Sequence, residues 1–129
     1  MRRLAVALLA LVPSVAAAQI PAAEFAARRD SLAARVGDGV VLAFGGKSPV
    51  TPYRFEQLPA FRYLTDYREP DAAFVMVVRG GRGTGYLFTT PADPRRAFYD
   101  GWRPDSATIA RELGLVSRPT RALGPTVDS

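Results

Sequence analysis

The chain has 129 residues, a formal net charge of +5, no histidine, no cysteine and a single lysine, Lys47. These absences exclude disulfide bonds, a histidine-activated nucleophile, and thiolate or imidazole metal ligands. The arginines are scattered rather than set in a stripe with aromatics, which excludes nucleic acid as a partner.

The first eighteen residues, MRRLAVALLALVPSVAAA, place Arg2 and Arg3 ahead of an apolar core, Leu4 to Val12, and then the small-residue run Ala16-Ala17-Ala18. That order is a secretory signal peptide at residues 1–18. Its core is about half of the roughly 20 residues a membrane span needs. Export to a periplasm or to the medium is therefore expected, with no membrane segment left after cleavage before Gln19. Losing Arg2 and Arg3 takes the charge from +5 to +3. No cysteine follows the small residues, so no lipid anchor is expected there.

Residues 19–129 suit one domain. Pro21 to Val36 predicts a helix, with Phe25, Leu32 and Val36 on one side and Gly37 as its stop. Asp38-Gly39 leads into VVLAF, Val40–Phe44, a short buried strand by its apolar, β-branched run. GGKSPVTPY, Gly45–Tyr53, is loop. The segment from Phe61 to Asp71 reads as an aromatic-rich turn followed by a Glu-Pro-Asp loop. Ala72–Val78 predicts a second buried strand; Gly80 to Gly83 turns the chain, and Gly85–Thr90 returns as a third, making a hairpin. Asp105 or Ser106 caps a helix carrying Ile109 and Leu113 that Gly114 ends. Apolar strands among amphipathic helices predict an α/β domain, a mixed β-sheet flanked by helices. The chain ends at RALGPTVDS with no closing element in view, so the domain is expected to be incomplete at its C-terminus.

The residue chemistry offers no catalytic, cofactor-binding or metal-binding set. The acids are dispersed, with no D-x-D-x-D calcium loop. Glu69 and Asp71 lie close in sequence, but two carboxylates fit capping or ion pairing better than a metal. Gly45-Gly46-Lys47-Ser48 lacks the first glycine of a phosphate-binding loop, since position 41 is Val41, and Pro49 stands where the helix should open.

Taken in order, the segments carry a resemblance. Phe61-Arg62-Tyr63-Leu64-Thr65-Asp66-Tyr67-Arg68-Glu69-Pro70 resembles the F-x-Y-L-T-G-F-x-E-P signature of the aminopeptidase P N-terminal domain, the creatinase N-terminal domain family. EFAARRDSL, Glu24–Leu32, is similar to that domain's opening helix, and VVLAF to its first strand. Phe55 and Gln57 fall where the family has F-R-Q. Tyr99-Asp100-Gly101-Trp102-Arg103 resembles its W-x-G-x-R element, and Glu112-Leu113-Gly114 its E-x-L-G helix end. The likeness runs from about Ala23 to Leu123. Three positions depart: Glu56 reverses a charge, Tyr99 replaces a tryptophan, and Asp66 replaces a glycine, tolerably because Asp visits left-handed backbone.

The resemblance implies a non-catalytic domain of a Xaa-Pro aminopeptidase, a metallopeptidase that releases the residue before proline. It implies a following pita-bread catalytic domain as partner, where two Asp, one His and two Glu hold two manganese ions. It also implies homo-oligomerisation through the N-terminal domain. By the same resemblance Tyr99, Trp102 and Arg103 are candidates for a substrate-pocket or subunit contact, and Tyr63, Tyr67 and Glu69 for an interface. The alternative for Tyr99 is a ring packed under a loop; for Phe61, Tyr63 and Tyr67 it is the core. Two other readings stay open: a standalone exported binding module, or the front of a prolidase- or creatinase-like hydrolase.

Overall fold

The computed structural model describes residues 19–49, 54–95 and 97–128, with Asp100 described by its backbone. The predicted signal peptide at residues 1–18 lies outside them. Helix α1, Ala22–Val36, starts one residue after Pro21 and stops at Gly37, whose φ of +76° suits glycine. Its buried residues are Phe25, Arg29 and Ala33, with Leu32 packed part-buried against the core; of the expected Phe25, Leu32 and Val36, Val36 alone stays exposed. A buried arginine is tolerable because its Nη1 donates to the Leu64 carbonyl at 2.8 Å while its stem lies among apolar neighbours.

Strand β1, Gly39–Phe44, is not fully buried as its sequence suggests. It lies at the rim of the sheet, where only Val41 and Ala43 reach the helices. The aromatic segment beyond is no turn but a short helix, α2, Pro59–Thr65. Pro59 opens it, where a missing N–H costs nothing. Asp66 closes it at φ +55°, the left-handed position that glycine would otherwise fill.

Strands β2, Ala73–Arg79, and β3, Arg82–Thr89, form the expected hairpin. Its turn is shorter than the glycine run suggested. Gly80 and Gly81, both at positive φ, suffice for a two-residue loop, and pairing resumes at Arg82. Helices α3, Ala97–Asp100, and α4, Ser106–Leu113, follow. Asp105 caps α4 by accepting from the Thr108 N–H at 2.8 Å, and Gly114 ends it. Strand β4, Val116–Pro119, then joins β3 in parallel. After β4 the chain coils through a 3-10 turn, Thr120–Ala122, into α5, Leu123–Val127.

The result is a mixed four-stranded sheet of order β1-β2-β3-β4 with helices against it. Period-2 alternation sorts the strand residues by face. Phe74, Met76, Val78 and Leu87 meet Ala33, Phe61, Leu64, Ile109 and Leu115 from the helices and their loops. Ala73, Val75 and Phe88 take the other face, beneath Ala122 and Leu123. Gly83 and Gly85 leave β3 bare where Met76 and Phe74 lie across it: a Cβ added at Gly83 would collide with Met76 Sδ, and one at Gly85 would sit 2.8 Å from Phe74 Cε2.

Candidate functional site

The loops that follow β1, α2 and β3 converge at one end of the sheet, and side-chain hydrogen bonds fasten the first two. Gln57, just ahead of α2, accepts from the Gly46 N–H at 2.8 Å and the Leu58 N–H at 3.0 Å, and donates to the Glu69 carbonyl at 2.9 Å. Asp71 holds the backbone N–H of Ser48 at 3.0 Å, and the Ser48 hydroxyl donates to its other oxygen. Asp71 itself sits at φ +58°, and its N–H returns to the Gly46 carbonyl.

This wiring settles two sequence patterns. The N–H groups of Gly46 and Ser48 are consumed by Gln57 and Asp71, so the Gly-Gly-Lys-Ser loop is no phosphate cradle. Asp71 is committed to structure. Partial burial acts against its charge, but the hydrogen bonds from Ser48, with Arg103 and Lys47 nearby, hold its carboxyl below the usual value.

A cleft of about 740 Å³ opens over these loops. Phe55, Arg68, Glu69, Asp71, Tyr99, Trp102 and Arg103 are among the residues that line it. The guanidinium of Arg103 comes within 3.9 Å of Asp71. Three aromatics of the segment stand out in solvent: Phe98 is 88% exposed, Tyr99 84% and Trp102 82%. Phe98 and Tyr99 meet edge to face, ring centroids 5.3 Å apart. Rings of this size are ordinarily buried bulk, and here they are left in water.

The predicted site residues divide between two environments. Tyr99, Trp102, Arg103 and Glu69 line the cleft together. Tyr67 is a core residue, 3% exposed, whose phenol is pushed up to about 12 by burial and then by the charge of Glu69. Tyr63 lies outside on α2, half-exposed, with the Arg28 guanidinium 4.4 Å above its ring. That contact joins α2 to α1. Phe98 escaped the sequence reading, and Phe55 and Gln57 entered it only as family positions, without a place in the cleft or a fastening role. The density of rings in Ala97–Arg103 signals Phe98; nothing local signals Gln57, whose partners are eleven and twelve residues away.

Chemically, the arrangement can bind and orient. Among the described residues no three His, Cys, Asp or Glu side chains cluster as a metal site would need. The cleft sets the Asp71–Arg103 contact, with Arg68, Glu69 and Asp93, beside the rings of Phe55, Tyr99 and Trp102, a lining of mixed charged and aromatic character.

The profile of a protein family described as "Aminopeptidase P, N-terminal domain" matches residues 25–122. Among solved structures, a Glu-to-Ala variant of Escherichia coli aminopeptidase P in complex with substrate is similar, with a TM-score of 0.74 and 23% identity. The same enzyme in its low-pH form gives 0.75, and with the inhibitor Pro-Leu 0.74, each at 23% identity. Every one of these matches covers 84% of this chain and 26% of the solved chain, so the present sequence spans about a quarter of their length. A search of curated protein sequences returns no significant match.

Proposed function

Because this chain belongs to the aminopeptidase P N-terminal domain family, we propose that it is the non-catalytic N-terminal domain of an exported Xaa-Pro aminopeptidase. In this reading it positions substrate access and subunit contacts, while chemistry resides in a pita-bread domain outside these 129 residues. The observation that carries it is the exposed set Phe98, Tyr99 and Trp102, of which Tyr99 and Trp102 line the cleft. An aromatic wall of this kind gains by being covered. Desolvating such rings contributes about 25 cal/mol per Å² of apolar surface removed from water. The occupant proposed is a neighbouring copy's catalytic domain, with Tyr99 and Trp102 bordering the entrance that peptides with proline at the second position use.

The manganese pair implied by the resemblance does not fit the residues present. Its ligand set includes a histidine, and the chain has none. No catalytic step is assigned to this chain. Sequencing the transcript through the Ser129 codon tests the reading. An open frame continuing into a domain with the Asp, Asp, His, Glu, Glu set supports it. A stop there, with folded protein recovered from the export compartment, favours a standalone binding module instead.

A further inference from the structure

The two edges of the sheet are built differently. β4 is four residues long and carries Arg118 and Pro119, a charge and an imino acid that discourage further strand pairing. β1, GVVLAF, has neither charge nor proline, and its register with β2 runs from Gly39↔Val78 to Phe44↔Ala73 without a bulge. It therefore lacks the devices that blunt a sheet edge. Among the described residues no strand pairs with its outer side.

The direction of its hydrogen bonds follows from one distance. Gly45 N–H donates to the Ala72 carbonyl at 2.8 Å, one step beyond the Phe44↔Ala73 pair, which makes Gly45/Ala72 a hydrogen-bonded pair. By alternation Ala43, Val41 and Gly39 turn their N–H and C=O toward β2, and Val40, Leu42 and Phe44 turn theirs outward. The side chains of those same three residues are the exposed ones, at 52%, 42% and 59%, on the face away from α1, α2 and α4.

We propose that β1 is a self-pairing edge: two copies of this chain join antiparallel along Val40–Phe44 to make one continuous sheet across a two-fold axis at Leu42. In that register Leu42 faces Leu42 of the other copy, and Val40 faces Phe44. Of the antiparallel registers, only this one matches the outward N–H and C=O groups of all three residues. It also sets their side chains beside one another on one face, as cross-strand apolar pairs. The occupant is a second copy rather than a foreign strand because the segment is complementary to itself and uncharged. A two-fold seam of this kind uses the same edge of both copies and so closes at a dimer. This inference deepens the assembly part of the proposed function and rests on it only in requiring that copies meet.

The test is the mass in solution of the full chain, produced with its N-terminal segment so that export processing takes place. Twice the chain mass is expected, falling to the single-chain mass in Leu42→Lys with an unchanged circular dichroism spectrum. Leu42→Cys gives the chain its only thiol, and oxidation should convert it to a covalent dimer; Arg111→Cys on α4 should stay single. If Leu42→Lys does not fold, the Leu42→Cys result decides. A single-chain mass for the parent, or no disulfide in Leu42→Cys, overturns the proposal. A dimer that survives Leu42→Lys but is lost in Trp102→Ala overturns edge pairing and leaves the aromatic contact surface standing.

Discussion

Replacing Gly85 with alanine puts the packing of the sheet on trial. The added Cβ would lie 2.8 Å from Cε2 and 2.9 Å from Cζ of Phe74, well inside van der Waals contact. Phe74 is fully buried, and its ring is rigid, so relief must come from a shift of the ring or of β3. Overpacking of this kind costs about 1–3 kcal/mol. Against it, alanine restricts the unfolded chain and contributes about 0.4–1 kcal/mol. The clash wins, leaving a net loss of about 1–2 kcal/mol, or roughly 4–8 °C in Tm for each kcal/mol in a domain of this size. Urea unfolding followed by circular dichroism measures it directly. Phe74→Leu makes room, so the double variant should lose less than the sum of the singles by about 1 kcal/mol. Equal or greater stability for Gly85→Ala, or strict additivity with Phe74→Leu, would refute the steric account.

Other consequences follow from single contacts. The Tyr67 phenol, held near 12 in the folded chain against about 10 unfolded, gives its proton up last when folded. Ionisation therefore costs the folded chain nothing below pH 10 and about 2–3 kcal/mol by the time pH passes 12. Relative to Tyr67→Phe, which does not titrate, the parent should lose stability over that window in denaturant titrations. Gln57→Ala frees the N–H groups of Gly46 and Leu58, and should cost about 1–3 kcal/mol and speed hydrogen exchange at both amides. Asp105→Ala removes the α4 cap. Because the hydrogen bonds with Thr108 hold that carboxyl below its ordinary value, the gap to the parent should be present at neutral pH and close on acidification below about pH 4.

Much of the fold was legible because the deciding signals are local. Gly37, Gly80-Gly81 and Gly114 stop or turn the chain where they stand, and Asp105 caps the helix that follows it. What escaped depends on partners distant in sequence. VVLAF has the composition of a central strand, and only the order of pairing makes it an edge. Phe61–Thr65 coils into a helix because Phe61 and Leu64 are buried in the core against α1, with Arg29 reaching over to donate to the Leu64 carbonyl. An arginine gives no sign in sequence that it will be buried. In the site, Tyr99, Trp102 and Arg103 could be read as a group because their segment resembles the family's W-x-G-x-R element. Tyr67, four residues beyond Tyr63, differs from it in environment because the left-handed turn at Asp66 redirects the chain between them.

The central claim is that this chain binds and positions while chemistry lies elsewhere. The most direct measurement is turnover of Xaa-Pro peptides by the purified chain with manganese present. No release of the N-terminal residue above the uncatalysed rate is the predicted result; metal-dependent hydrolysis that survives further purification and tracks the chain would contradict it.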